Sequence, residues 1–324
     1  MKLPKFSTGI FYAAALLPLL ASLPAQAQEW PVRTVKFIVP LGAGAGADIG
    51  GRLIAERVQK KWGKAVIIEN RPGGDSLPAL TAFATANDDH TLFFSPSGAF
   101  AVHPHRYAKL PYDPVRDLLP IARVSETIIA VASAKSIGVS NLKDVVEYMR
   151  ANPGKVDFAI VPGTAELVTD GFIQAQKLQL VKVPYRDIVQ GVNDLAVGRL
   201  QFMMASLAIF QPALQNNSIN LLALTNRKRA DIAPGVATVE ELGFPGLELE
   251  GLVGLFGPPT LSLELRRRIG ADVVEAASDP EVGRRLAATA QVVNPGGADE
   301  FQESLKRQKD MIAAHAKATG LEPK

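Results

Sequence analysis

The segment of this 324-residue sequence best suited to chemistry is the glycine-rich run Pro40–Asp48, which follows a predicted strand over 35–39 and opens a predicted helix. Glycines have no Cβ, so the backbone N–H groups of such a loop can approach a ligand closely. The N-terminus of the following helix favours negative charge. We therefore expect an anion site here, with a tight turn that binds nothing as the alternative. The candidate contacts are Gly42, Ala43, Gly44, Ala45 and Gly46.

A dinucleotide site is the competing hypothesis for the same loop. Gly42, Gly44 and Ala47 match the dinucleotide-binding fingerprint, and Glu69 ends the next predicted strand, where a ribose-binding acid would lie. An oxidoreductase would also need an acid, a base and an arginine, and no such set is recognisable later in the chain. We expect no cofactor, and we keep the dinucleotide-dependent oxidoreductase as the weaker alternative.

A second turn between a strand and a helix follows at Ser95–Gly98. It lacks the Gly-x-Ser-x-Gly pattern of a serine hydrolase, and its small polar residues suit hydrogen bonding to a ligand instead. Two such turns would aim N–H groups and hydroxyls at one anion, which predicts a small carboxylate as ligand. Asp48 would repel that anion, so we expect it to cap the helix and order the loop. The candidate contacts here are Ser95, Ser97, Gly98 and Ala99.

Metal sites have little support in the sequence. His103 and His105 flank a proline, but no third ligand stands near them at a recognisable spacing, so we expect a surface loop there. The chain contains no cysteine, which excludes disulfides, thiolate metal sites and a lipid anchor on cysteine.

The N-terminus has the features of a cleaved export signal. Lys2 and Lys5 precede an apolar stretch over 10–20, and Pro24–Ala27 supplies the small residues of a cleavage site, so we expect cleavage after Ala27. A membrane anchor is the alternative, but the stretch is too short to cross about 30 Å of hydrocarbon. Loss of the two lysines leaves 33 Lys and Arg against 32 Asp and Glu, so the formal net charge falls from +3 to +1. That balance does not favour nucleic-acid binding.

Short β-rich runs alternate with helical patterns along the rest of the chain, which predicts parallel sheets covered on both faces. The length suggests two domains. No flexible linker separates them, so we expect lobes joined by crossing strands. A helical face that includes Phe301, Ile312 and Ala316 predicts a long closing helix that ends at Gly320. The predicted strands are 35–39, 66–68, 91–94, 156–161, 180–183, 200–204, 221–225 and 252–256.

From about Trp30 to Gly320 the sequence resembles the substrate-binding proteins of tripartite tricarboxylate transporters, the Bug-type periplasmic receptors. Glu-Asn-Arg-Pro-Gly followed by Leu-Pro-Tyr-Asp-Pro in one exported chain is a specific signal. The matching stretches are Arg33–Pro40 with the glycine loop and Asp48, Val66–Gly74, Lys109–Pro114, Ala151–Lys155, Val183–Tyr185 and Ser278–Val282.

The resemblance implies an α/β Venus-flytrap fold of type II, with a mixed or parallel sheet in each of two lobes and no catalysis. Residues 28–126 and 251–324 would form the lobe that anchors a carboxylate, and residues 127–250 the lobe that sets specificity. The implied partners are a small organic carboxylate and the membrane permease subunits of the transporter, with a monomeric receptor in the periplasm. The implied second-lobe contacts are Gly163, Thr164, Tyr185, Arg186, Asp187 and Ser206.

The second-lobe wall departs from the usual family pattern at several positions. Leu167 stands where a histidine is common, Arg186-Asp187 replaces a Lys-Gly pair, and Ala205 replaces an aspartate. Loss of that acid weakens the expectation of an amino-acid ligand. Arg186 either pairs with a second carboxylate or is a solvated residue balanced by Asp187. The identity of the carboxylate stays open, as does the alternative of a receptor that feeds a two-component sensor.

Overall fold

The structure is a computed structural model, and the residues it describes are Met1, 29–160, 163–185 and 188–323. The expected export signal and its cleavage after Ala27 lie outside the described residues, as do Arg186 and Asp187. Within the described part of the chain, every helix is too short or too polar to span a bilayer.

Eleven strands in the described ranges alternate with ten α-helices and a few short 3-10 turns. The strands are β1 Val35–Val39, β2 Val66–Asn70, β3 Thr91–Pro96, β4 Leu119–Thr127, β5 Ile129–Ala134, β6 Asp157–Ile160, β7 Val181–Pro184, β8 Phe202–Ser206, β9 Ile219–Leu224, β10 Gly251–Gly257 and β11 Gln291–Gly296. The helices are α1 Gly46–Trp62, α2 Leu77–Ala86, α3 Gly98–Arg106, α4 Leu142–Ala151, α5 Thr164–Ala175, α6 Ile188–Ala196, α7 Leu207–Gln215, α8 Leu263–Ala277, α9 Pro280–Ala287 and α10 Ala298–Thr319.

The first sheet has six strands in the order β11-β4-β10-β3-β1-β2. β1 pairs in parallel with both β2 and β3, whereas β10 runs antiparallel to β3 and β4. Successive side chains of a strand point to opposite faces. Phe37 therefore packs with α1, α8 and α9, and Ile38 with α2, α3 and α10. Helices on both faces make this sheet the core of the first lobe.

The second sheet has five strands in the order β7-β6-β8-β5-β9. Its β6 pairs in parallel with β7 and β8, and β5 runs antiparallel to β8 and β9. Helices α6 and α7 supply Val192 and Phe210 to the core on one face. Helices α4 and α5 supply Val145 and Phe172 on the other. Both sheets are mixed, so the wholly parallel arrangement expected from alternation alone is corrected.

The chain changes sheet where β4 passes to β5 at Ile128. The N–H of Ile128 donates to the Ala290 carbonyl at 2.9 Å, and the Ile128 carbonyl accepts from the Leu207 N–H at 2.8 Å. The buried Asn226 side chain accepts from the Ile129 N–H at 3.1 Å. The chain returns between β9 and β10. The lobe boundaries at 126/127 and 250/251 stay a prediction, and they lie beside these two crossings.

Candidate functional site

The strand directions place the predicted site residues on two facing edges. Parallel β1 and β3 end on the same edge of the first sheet, so the glycine loop and the Ser95–Gly98 turn both follow that edge. β6, β7 and β8 end on one edge of the second sheet, where Ser206 lies opposite the first residue of β5. Thr164 Oγ1 donates to the Gly98 carbonyl at 3.1 Å, which joins the two edges directly. The site is therefore the cleft between the sheets.

The glycine loop is exposed at its tip and has a left-handed turn at Gly44, whose φ is +86°. The Gly44 N–H donates to Asp48 Oδ2 at 2.8 Å, and the Ala45 N–H donates to the Gly42 carbonyl at 3.2 Å. These two N–H groups hold the loop together. The first N–H groups of α1, beginning at Gly46, have no partner within the helix and are the donors available to an anion.

Asp48 orders this loop through its buried carboxylate, which is 1% exposed. Oδ2 accepts from Arg52 Nε at 3.0 Å as well as from the Gly44 N–H. Burial opposes ionisation of Asp48, but the hydrogen bonds outweigh burial and hold the pKa of the carboxyl below its ordinary value. The expectation of a helix cap is corrected, because the N-cap position is Ala45, which makes no side-chain bond. Asp48 acts from within the first turn instead.

Asn70 is a second residue that holds the loop, and sequence reasoning did not single it out. Its Nδ2 donates to the Leu41 carbonyl at 2.9 Å and to Asp48 Oδ1 at 2.8 Å, and its Oδ1 accepts from Arg52 Nη2 at 2.9 Å. Asn70 is the last residue of β2, the neighbour of β1 in the sheet. Asn70 is the asparagine of the Glu-Asn-Arg-Pro-Gly motif, so the motif was the sequence feature that could have identified it.

The two serines of the second turn are buried and already hydrogen-bonded. Ser95 Oγ donates to the Pro96 carbonyl at 2.8 Å, and Ser97 Oγ donates to Gln308 Oε1 at 2.6 Å. Gln308 Nε2 in turn donates to the Glu250 carbonyl at 2.9 Å. A hydroxyl has one hydrogen to donate. Neither serine therefore has a hydroxyl hydrogen left for a ligand. The free donors at this turn are the first N–H groups of α3, those of Gly98 and Ala99.

The start of α5 closes the cleft from the second lobe. Gly163 has a φ of +148° and precedes Thr164, the first residue of the helix. A Cβ on Gly98 would lie 2.6 Å from Thr164 Oγ1, so a larger residue at position 98 would force the Thr164 hydroxyl to move at this contact between the lobes. Both predicted residues thus lie at the cleft, with the Thr164 hydroxyl bonded to the first lobe.

Two further predicted residues of the second lobe lie within the described ranges, Tyr185 and Ser206, and both have local partners. The Tyr185 hydroxyl donates to Asp194 Oδ2 at 2.8 Å, and burial together with that carboxylate raises the Tyr185 pKa to about 12. Ser206 Oγ caps α7 by accepting from the Ala208 N–H at 3.4 Å. Ala205 is buried in β8. Direct ligand contacts by Tyr185 and Ser206 stay predictions.

Leu167 belongs to an apolar cluster between the lobes. It is 3% exposed and packs with Val102 of α3 and with Ile312 and Ala316 of α10. One turn further along α5, a Cβ on Gly171 would lie 2.0 Å from His315 Nδ1 of α10. Leu167 therefore makes an apolar contact that ties α5 to α10.

His103 and Glu69, which the sequence analysis considered as candidate functional residues, both have partners within the first lobe. His103 lies inside α3 and is fully buried, so the expected surface loop is wrong. Its Nδ1 is 2.7 Å from the Tyr112 hydroxyl, and its Nε2 is 3.3 Å from Asp75. Glu69 pairs with Lys36 at 2.7 Å, and hydrogen bonds from Lys36 and Arg71 lower the pKa of its carboxyl. Its carboxylate is thus engaged within the first lobe.

Comparison of the sequence with known proteins identifies a family and relatives that match most of the chain. The sequence model of the family described as "Tripartite tricarboxylate transporter family receptor" matches residues 51–316. Protein BugT from Bordetella pertussis is 26% identical over 307 residues, which cover 91% of this chain and 93% of BugT.

Two solved structures show the fold. An R. palustris protein with adipate has a TM-score of 0.76 at 24% identity, covering 91% of this chain and 100% of that one. MatC from Rhodopseudomonas palustris with bound malate has a TM-score of 0.69 at 24% identity, covering 87% and 100%. These likenesses confirm the predicted two-lobed α/β binding-protein fold.

Proposed function

Since this chain belongs to the tripartite tricarboxylate transporter receptor family, a family of periplasmic receptors and not of enzymes, we propose that it captures a small organic dicarboxylate in its cleft. The observation that carries this proposal is the position of four helix N-termini. Helices α1 and α3 follow β1 and β3 at the cleft edge of the first sheet, and α5 and α7 follow β6 and β8 at the cleft edge of the second. Each lobe therefore presents at least two helix starts to the cleft.

Helix N-termini stabilise anions. Each contributes roughly 0.3 to 1 kcal/mol, and hydrogen bonds from unpaired N–H groups to a charged oxygen add to this. One carboxylate of the ligand would lie against Gly46 and Gly98, and the other against the start of α5 at Thr164. Helix α7 would add its dipole, because its first two N–H groups already donate to Ile128 and Ser206. A ligand with an anionic group at each end uses both lobes, whereas a monocarboxylate uses one. The adipate and malate found with the two neighbours are both dicarboxylates, which favours this class.

A melting screen of the mature chain tests the ligand class. We would compare mono-, di- and tricarboxylates, aromatic acids, amino acids and NADH. A ligand at about 100 times its dissociation constant stabilises the folded state by about 2.7 kcal/mol, so binding raises the melting temperature measurably. We expect at least one dicarboxylate to do so. A shift with NADH and with no acid would overturn the proposal and favour the oxidoreductase.

We further infer that the receptor works in the periplasm and delivers its ligand to the permease subunits of a tripartite tricarboxylate-type transporter. The export signal and the family support both statements. Intact-mass measurement of periplasmic protein should give a chain that begins at Gln28. Crosslinking in membranes should capture the permease subunits in a ligand-dependent manner. Capture of a sensor kinase in their place would favour the signalling alternative.

A further inference from the structure

A pocket of about 430 Å³ lies in the first lobe between α3, α10 and the segment 114–120. Its walls are apolar and include Phe100, Val115, Leu118 and Leu305. Val115 is 66% exposed, so this wall of the pocket is open to solvent. The volume falls within the range of pockets that hold small ligands.

Two lysines give the rim of this pocket its charge. Lys306 and Lys309 are exposed, lie one turn apart on α10, and line the opening together with His105. Neither lysine has an ion-pair partner among the residues that the structure describes. Like charges at this spacing repel each other. Burial and the nearby Lys309 lower the pKa of His105, so the positive charge at neutral pH comes from the lysines.

We propose that this pocket binds an apolar monocarboxylate, such as a medium-chain aliphatic or aromatic acid, as a ligand distinct from that of the cleft. The apolar chain would fill the pocket, and the carboxylate would lie between Lys306 and Lys309. Gln308 also lines the pocket, and it is the residue that accepts from Ser97 and donates to Glu250. An occupant therefore contacts a side chain that holds the second turn of the cleft site.

Calorimetric titration of the mature chain with octanoate, below its critical micelle concentration, tests the proposal. We expect one saturable site that excess adipate leaves intact, and at least tenfold weaker binding of 1-octanol, which lacks the charge. The double variant Lys306→Gln with Lys309→Gln should lower octanoate affinity at least tenfold. Equal binding of octanoate and 1-octanol, or an unaffected double variant, would overturn the role of the lysines.

A steric pair on α10 tests the location. Ala313 lines the pocket, whereas Ala314 does not, and both are exposed. Ala313→Trp should abolish octanoate binding, and Ala314→Trp should leave it unchanged. Loss of octanoate binding in Gly44→Val would instead place the octanoate in the cleft and refute the second site, without touching the cleft proposal. If octanoate fails to bind but Ala313→Trp blocks crosslinking to membrane subunits, the pocket is a protein-docking surface and the proposal is wrong.

Discussion

Asp48 and Gly44 shape the glycine loop that should bind an anion, although neither side chain attracts an anion. Asp48 is negative, yet its charge is compensated by Arg52 and its oxygens are filled by donors from the loop and from Asn70. Gly44 adopts a left-handed conformation, and its N–H donates to the Asp48 carboxylate. The loop is thereby fixed in advance, so less conformational entropy is lost when a ligand binds.

Gly44→Val should abolish binding of the carboxylate selected by the melting screen. A β-branched residue is strained at a φ of +86°, and its side chain would project into open space at the loop tip, where it obstructs the ligand. Gly138→Val is the matched control. Gly138 has a φ of +72°, also faces open space, and lies in a turn outside the cleft. Both variants should lose comparable stability, and equal affinities for the ligand would contradict the model.

Asn70→Asp should weaken binding at least tenfold at pH 7.5. The new carboxylate would face Asp48 and the Leu41 carbonyl with no hydrogen to donate, at a cost of about 1 to 3 kcal/mol for unsatisfied buried groups. Two adjacent carboxylates raise each other's affinity for a proton. Acidification toward pH 5 should therefore return one donor and recover part of the affinity. Titrations from pH 5 to 8 measure this, and a pH-independent loss would leave Asn70 with a merely structural role.

At the scale of elements, the sequence predicted most of what positions the site. β1 has the predicted bounds, and α10 ends at Gly320, which has a left-handed φ of +62°. Strands β4 and β5 were missed because residues 119–134 contain no Gly, Asn or Asp to mark a turn between two strands, and the change of sheet at Ile128 has no local signal. β11 was missed because its Asn-Pro-Gly is typical of a turn.

The backbone loops of the site were predictable, whereas the side chains that support them were not. Gly42–Gly46 and Ser95–Gly98 carry local signals, since glycines and small polar residues between a strand and a helix indicate a turn. The partner of Ser97 is Gln308, 211 residues later, and the partner of Asp48 is Asn70, 22 residues later. Such pairs are determined by the tertiary fold and not by local sequence. For this reason the serine hydroxyls that were expected to contact a ligand bond to other protein groups instead.

The packing of α10 on α5 makes stability depend on pH. Burial lowers the pKa of His315, which contacts Gly171. The folded state therefore favours neutral His315, and below about pH 6.5 the unfolded chain takes up a proton that the folded chain resists. Stability should fall as the pH drops from 7.5 to 5.5, and this slope should be shallower in His315→Gln. Urea midpoints at several pH values measure the effect, and identical slopes would argue against burial of His315.

At the scale of the whole molecule, the lobes are joined by more than their crossing strands. Helix α10 begins in the core of the first lobe at Phe301 and ends against α5 of the second, where Leu167 packs with Ile312. The bond between Thr164 and Gly98 adds a polar contact at the cleft. We expect these contacts to favour a closed arrangement, in which water is excluded and hydrogen bonds to a charged ligand are stronger. We therefore expect the radius of gyration in small-angle scattering to be smaller with ligand than without.

Leu167→Ala should shift the ligand-free protein toward the open form. It removes apolar contacts between α5 and α10 that we expect to favour the closed arrangement, and truncation of a buried leucine costs about 2 to 5 kcal/mol. Apparent affinity falls by the factor by which the competent closed fraction falls. We expect a larger radius of gyration without ligand and weaker binding, with saturating ligand restoring the compact form. Leu286→Ala removes a buried leucine from the first-lobe core and is the control. It should lose stability with unchanged affinity and radius, and matching scattering profiles for the two variants would show that the Leu167 cluster does not govern closure.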